Sequence, residues 1–302
     1  MTVSRRAFVL GALVAGCSRP KPAPRATVAP PPTLPIDAST RGNTMLLEWT
    51  MGTPEERVVV VVPDPPEEGK AYRVVVALHG RGEAVKPPAE GAMGWPRDYA
   101  LTRAIDRISN PPLVRDDFEG LVEDGHLESM NQALAEKPFG GLVVVCPRLP
   151  DLDPYDSSKV AAYGQYLVED VLGRVRRELP VDAVRAKTGI DGVSLGGIVA
   201  LEVGLAHADV FGAVGALQPA VRPDKIAMLT SLARASKNDL PKLRLTTSHD
   251  DYFRAAIAEL TATWDAAGIT HDFSDLPGPH DYVFNRGPGA LELLFWQDRA
   301  LG

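Results

Sequence analysis

From residue 42 onward the chain alternates apolar runs of strand length with stretches whose apolar residues recur every three to four positions. That alternation predicts an α/β fold, a mostly parallel central sheet with helices on both faces. The run 46–50 and the β-branched run 57–62 predict antiparallel strands at one sheet edge. Further strands are expected at 72–78, 141–145, 184–190, 211–217 and 243–247, with another around 270–273. Helical spacing marks about 98–108, an amphipathic stretch over 159–178, the apolar segment 198–206, about 253–267, and a terminal helix after Gly289. Residues 111–131 show weak periodicity and read as an insertion over one end of the sheet, flanking a substrate pocket.

The first 41 residues carry a different pattern. Arg5 and Arg6 precede an apolar stretch, 7–14, that is too short to span a bilayer, and Ala15-Gly16-Cys17 places small residues at a cleavage point. Together they predict an export signal. In detail, Ser4-Arg5-Arg6-Ala7-Phe8-Val9-Leu10 resembles a twin-arginine signal, and Val14-Ala15-Gly16-Cys17 resembles the lipobox of bacterial lipoproteins. The resemblance implies that Cys17 is the lipidated first residue of the mature chain, and that the protein is exported to the cell envelope. Ser18, rather than Asp, after that cysteine implies outer-membrane sorting. Residues 18–37 are rich in Pro and Ala and cannot bury a core, so they read as a semi-rigid stalk. The expected organisation is a signal peptide over 1–16, a stalk over 17–41 and a catalytic domain over 42–302, with the lipid anchor as the membrane attachment.

Composition narrows the partners. Hydrophobic residues make up 45% of the 302 and charged residues 24%, ordinary values for a chain able to bury a sizeable core. The formal charge of −7, with no long run of Lys or Arg, argues against nucleic acid. The chain has two cysteines; with Cys17 lipidated, Cys146 has no intradomain partner and reads as a buried structural thiol at the end of an apolar run. No H-E-x-x-H, paired C-x-x-C, P-loop or G-x-G-x-x-G motif occurs, so no metal and no cofactor are expected. The acidic stretch Asp151-Leu152-Asp153-Pro154-Tyr155-Asp156 lacks the spacing and closing Glu of a calcium loop and reads as a solvated turn.

Gly192-Val193-Ser194-Leu195-Gly196 matches G-x-S-x-G, and it stands between an expected strand and an expected helix. This is the context a nucleophile elbow requires, because the serine occupies a strained turn and the glycines let strand and helix approach closely. A serine hydroxyl needs a base within hydrogen-bond reach and a third group to orient that base. In this arrangement acid and base follow the serine in that order, on loops after late strands. His280 in Gly278-Pro279-His280-Asp281 fits the base, and Ser248-His249-Asp250-Asp251 supplies the acid. Counting from the strand end selects Asp250 if Thr247 is the terminal small residue, and Asp251 if Ser248 is. Backbone N–H groups of Leu195 and of the loop Leu78-His79-Gly80-Arg81-Gly82, with Arg81 the expected donor there, would form the oxyanion hole. His79 is assigned a packing role, His126 and His207 a surface one, and His249 and His271 are poorly placed to reach Ser194.

The strand end Leu78-His79-Gly80-Arg81-Gly82, the block from Gly192 to Val221, the segment from Leu243 to Phe253 and the loop from Leu276 to Tyr282 together resemble the esterase D and enterochelin-esterase family of α/β hydrolases, over about residues 70–290. The resemblance implies the α/β-hydrolase fold, a serine esterase acting through an acyl-enzyme on a small-molecule or polymer-linked ester, Ser194 as nucleophile, His280 as base, and Arg81 and Leu195 as oxyanion donors. In such relatives the acid stands two positions before an aromatic or bulky apolar residue; Phe253 therefore favours Asp251, leaving Asp250 to cap the following helix. Pro279 and Tyr282 depart from the family's Gly-Gly-His-Asp-Trp pattern, which touches leaving-group contacts more than the triad. Acyl transfer on the same fold, and a non-catalytic binding protein on a hydrolase scaffold, are the competing readings.

Overall fold

The β-branched runs of the sequence assemble into one nine-stranded sheet in a computed structural model of the chain, which describes residues 38–41, 43–154, 156–236 and 239–302. Its strands are β1 (Ala38–Arg41), β2 (Thr44–Thr50), β3 (Arg57–Pro63), β4 (Arg73–Leu78), β5 (Leu142–Pro147), β6 (Thr188–Gly192), β7 (Ala213–Leu217), β8 (Lys242–Asp250) and β9 (Asp272–Pro279). Their order across the sheet is β1-β2-β3-β5-β4-β6-β7-β8-β9. The pairs joining β1, β2, β3 and β5 are antiparallel, and every pair from β5 through to β9 is parallel. This mostly parallel sheet is the α/β architecture the alternating pattern predicts.

Between the strands run α1 (Arg81–Ala84), α2 (Pro88–Ala92), α3 (Leu101–Ser109), α4 (Asp124–Glu136), α5 (Ser157–Tyr166), α6 (Leu172–Glu178), α7 (Leu195–Ala206), α8 (Pro223–Ala235), α9 (Arg254–Ala266), α10 (Tyr282–Phe284) and α11 (Ala290–Ala300). A wide turn, Leu167–Val171, joins α5 and α6 into the amphipathic helix read over 159–178. Side chains alternate across the central strands, as a period of two requires. Val74, Val76 and Leu78 of β4 face a core with Val160, Leu172, Ile198, Leu201, Leu229 and Trp264 from α5 to α9. Val75 and Ala77 face the opposite core, with Ile105 and Ile108 of α3, Met130 and Leu134 of α4, and Leu291 and Leu294 of α11. Full burial of a Val, Leu, Ile or Met side chain among these contributes about 1.5–3 kcal/mol relative to exposure. Cys146 lies in this second core at 1% exposure, and burial pushes its thiol well above the ordinary range.

Several elements differ from the sequence reading; the short helices α1, α2 and α10 are not expected from it, and β6 starts at Thr188 rather than 184. The sheet begins at Ala38, inside the stretch read as stalk, because β1 pairs with β2 from Ala38↔Leu47 to Arg41↔Thr44; the rest of that stretch, the signal peptide and Cys17 lie outside the described residues. Helix α8 lies where the sequence reading expects no element, although Pro223 at its first turn and Ile226, Leu229 and Ala233 carry the helical spacing. The segment 111–131 holds a 3₁₀ turn, Arg115–Phe118, and the start of α4, which buries only Met130 and Leu134 and so has weak periodicity. It packs against α3 and α11, where Arg107 pairs with Asp117 at 2.6 Å and His126 Nε2 meets the buried Glu292 at 2.6 Å, and its Leu121 reaches Gly278 at the end of β9. Strand β9 continues to Pro279, well past the expected 273. Prolines at 277 and 279 argue against a strand interior, but among the described residues β9 is an edge strand whose one partner is β8, so the missing N–H groups break no second ladder.

Candidate active site

Ser194 sits between β6 and α7 with φ 57° and ψ −116°, a left-handed-side conformation that a non-glycine residue holds only when its surroundings impose it. Those surroundings are backbone hydrogen bonds on both sides: Ser194 N donates to Leu217 O at 3.0 Å, and Ser194 O accepts from Ile198 N at 3.1 Å and Ala220 N at 2.9 Å. Gly196 is obligatory here, since a Cβ at that position would lie 2.3 Å from Leu78 O and 2.5 Å from His79 O. The G-x-S-x-G spacing thus brings the end of β4 against the first turn of α7.

The three residues read from sequence as a triad meet in space. His280 Nε2 lies 2.9 Å from Ser194 Oγ, and His280 Nδ1 lies 2.8 Å from Asp251 Oδ1. Asp251 is buried, and its carboxylate is held by two further donors: Thr247 Oγ1 to Oδ2 at 2.8 Å and Phe253 N to Oδ1 at 2.9 Å. Because the carboxylate can only accept, Nδ1 carries the proton and Nε2 is free to take the serine's.

Asp250, the other candidate acid, is exposed at the end of β8. It is Asp251, not Asp250, that accepts from the N–H of Phe253 at the start of α9, so the expected capping role of Asp250 is corrected along with its candidacy as acid. The physical cause is local. The alternation of β8 stops at Ser248, whose carbonyl accepts from Asp251 N at 3.1 Å, and this turn swings Asp251 back toward the sheet end while His249 and Asp250 face solvent. Opposite it, β9 carries one extra residue, pairing Ser248 with Leu276 but Asp250 with Pro279; Gly278 takes φ +124° in that bulge. Asp250→Asn is accordingly expected to leave kcat within about twofold and stability within ~0.5 kcal/mol, as at other exposed positions. A fall in turnover comparable to that of an Asp251 variant would reassign the acid.

The two proposed oxyanion donors stand at helix N-termini. Leu195 N opens α7, where the aligned peptide dipoles favour negative charge, and Arg81 N opens the short α1. The intervening loop lies directly on the nucleophile: a Cβ placed on Gly80 would be 3.7 Å from Ser194 Cβ. His79 has the packing role assigned to it. Its Nε2 accepts from Leu149 N at 2.9 Å, which leaves Nδ1–H to donate to Gly80 O at 2.9 Å, and burial lowers its pKa to about 4. The Arg81 side chain turns outward to Asp151 at 3.0 Å, and Asp156 N-caps α5 by accepting from Ser158 N at 3.2 Å.

Several residues around the triad carry no local signal in the sequence. Tyr252 stacks on His280 with ring centroids 4.3 Å apart while remaining 72% exposed. Gln218, buried at the end of β7 with φ 42°, donates to Ser248 Oγ at 2.5 Å and to Pro279 O at 3.0 Å, tying the acid and base strands together one residue before His280. Leu121, from the insertion, packs over Gly278, where a Cβ would lie 2.8 Å from Leu121 Cδ1. That contact brings the insertion within two residues of His280.

Residues 150–283, which include Ser194, Asp251 and His280, match a family model described as putative esterase. No curated protein matches the chain at the sequence level. Among solved structures, the chain is similar to a ferulic acid esterase with TM-score 0.62 and 17% identity, covering 85% of this chain and 99% of that one. It is similar to S-formylglutathione hydrolase from Staphylococcus aureus with TM-score 0.59 and 15% identity, covering 84% and 98%. The enterobactin esterase of Shigella flexneri follows at TM-score 0.57 and 16% identity, covering 88% of this chain and 60% of that one. At these identities the likeness is one of fold.

Proposed function

We propose that this chain, a serine esterase, cleaves carboxylic esters through an acyl-enzyme on Ser194. The observation that carries the reading is the continuous hydrogen-bonded chain from Ser194 Oγ through His280 to the buried Asp251. In the first step Oγ attacks the ester carbonyl as its proton passes to His280 Nε2, and Asp251 stabilises the imidazolium through Nδ1–H. The tetrahedral oxyanion is received by the N–H groups of Leu195 and Arg81. His280 Nε2–H then protonates the departing alcohol, beside the exposed ring of Tyr252. A water deprotonated by the same nitrogen attacks the acyl carbonyl, returning the free serine and a carboxylic acid.

Structural neighbours are named as a ferulic acid esterase, an enterobactin esterase and an S-formylglutathione hydrolase, so the fold accepts quite different substrates. A panel of chromogenic esters with aromatic, acetyl and longer acyl groups, run with and without an alcohol acceptor, tests the proposal. Burst kinetics followed by release of free acid supports hydrolysis; acyl-alcohol product in place of acid identifies a transferase, and no turnover on any ester indicates a binding protein.

The same proposal places the enzyme outside the cytoplasm, held at a membrane by acyl chains on Cys17. It rests on the paired arginines, the short apolar stretch and the small residues before that cysteine. Each buried CH₂ of an acyl chain contributes about 0.8 kcal/mol to anchoring. Cys17→Ser is therefore expected to move the protein from the membrane to the soluble fraction and to abolish incorporation of labelled fatty acid. Unchanged fractionation without labelling of the wild type rejects the anchor.

A further inference from the structure

We propose that Glu83 is a positioning residue that locks the oxyanion loop and the His280 loop to each other through two tyrosines. The inference rests on the reading of Ser194 and His280 given above. Glu83 lies on α1, three residues after Gly80, and is 1% exposed. A carboxylate so deeply buried requires donors to replace water, and it has them from three directions. Tyr99 Oη donates to Oε2 in a short hydrogen bond, Tyr282 Oη donates to Oε1 at 2.5 Å, and Lys86 Nζ stands 3.4 Å from Oε1. Lys86 is in turn held by Asp98 at 3.0 Å.

Each tyrosine leads to one half of the catalytic apparatus. Tyr99 Oη accepts the N–H of Gly80 at 3.1 Å. That bond fixes the peptide preceding Gly80 and so the direction of the next one, whose N–H belongs to Arg81. Tyr282 stands two residues after His280, at the start of α10, and reaches back across 199 positions of sequence to Glu83. The tyrosine hydroxyl passes close to Gly82, where a Cβ would lie 3.0 Å from Tyr282 Oη. The tyrosine rings also meet edge-on, with centroids 5.7 Å apart, and Trp95 closes on the far side of Tyr99 at 5.1 Å. Burial first, and the neighbouring carboxylate next, raise the Tyr99 phenol well above its ordinary range; burial, then the hydrogen bond to Glu83, raise Tyr282. Both phenols therefore stay protonated and act as donors.

The consequence is geometric. Acyl transfer needs the oxyanion donors and the base placed together around one carbonyl, and displacement of about 1 Å costs on the order of 100-fold in rate. One carboxylate accepting from both tyrosines sets the separation of the two loops. It does so without touching substrate, so its loss should fall on kcat.

The test uses Tyr99→Phe, Tyr282→Phe and the double variant, with Glu83→Gln beside them. Phenylalanine keeps the packing and removes only the hydroxyl, so these variants report even if Glu83→Gln fails to fold. Turnover of a short-chain chromogenic ester, the rate of inactivation by a fluorophosphonate, and melting temperature are measured for each. The expected result is a fall of about 10- to 100-fold in kcat for each single variant, KM within about threefold, a matching fall in inactivation rate, and a double variant less impaired than the product of the singles because both act through one carboxylate. Wild-type rates in both single variants, or losses confined to KM, would overturn the proposal. An inert wild type, unlabelled by the fluorophosphonate, would instead remove the esterase reading on which it stands.

Discussion

Ser194→Ala is expected to lower kcat for ester cleavage by roughly 10⁴- to 10⁶-fold, as loss of a triad serine does in other hydrolases. The substitution removes one oxygen and one hydrogen bond, 2.9 Å to His280 Nε2, and leaves the backbone that shapes the elbow untouched. Ser194 N and O keep their bonds to Leu217, Ile198 and Ala220, so the strained φ of 57° is still imposed on the alanine. The melting temperature should therefore change little, and the variant should bind substrate while failing to form an acyl-enzyme. Residual turnover would come from the oxyanion donors and from bound water. A fluorophosphonate should label the wild type alone. Equal labelling of both proteins would assign the nucleophile to another residue.

Asp251→Asn is expected to cost on the order of 10⁴-fold in kcat, by analogy with the corresponding change in other triads. Asp251 accepts three hydrogen bonds, from Phe253 N and His280 Nδ1 at Oδ1 and from Thr247 Oγ1 at Oδ2. An asparagine can keep its oxygen toward Phe253 N and His280, with Thr247 turning its hydroxyl to accept from the new NH₂; the negative charge that stabilises the imidazolium is then gone. Turned the other way, the amide donates to Nδ1 and forces the imidazole into the tautomer that cannot take the serine's proton. Either orientation disables the base while preserving most of the packing, so the loss should appear in kcat far more than in melting temperature. Retention of more than about a tenth of wild-type turnover would remove Asp251 from the triad.

The contrast between Asp251 and Asp250 shows where local pattern stops being informative. Two adjacent carboxylates stand at the same distance from a strand end to within one residue, and chain order accepts either. A turn closed by Ser248 O and Asp251 N, facing a one-residue bulge in the neighbouring strand, decides which of them points inward. Bulge and turn depend on β9 lying beside β8, and β9 itself is obscured in sequence by Pro277 and Pro279. Helix α8 is a different case: its spacing is present in the residues, and its burial on the sheet is what makes that spacing count.

The sequence by itself determined the parts whose causes are local. Alternating β-branched runs and helical spacing dictate a mostly parallel sheet between helices, because each element must bury its apolar face. Glycines on either side of Ser194 dictate the elbow, because no larger residue allows strand and helix so close. Only the tertiary structure decided what depends on distant segments meeting: the turn and bulge that aim Asp251 inward, Tyr252 against His280, Gln218 between the acid and base strands, and Glu83 under both catalytic loops. Such contacts join residues as far as 199 positions apart, and no periodicity records them. A buried polar group takes its partner from whatever the packed fold brings within hydrogen-bond reach, so its role becomes legible only when the chain has closed around it.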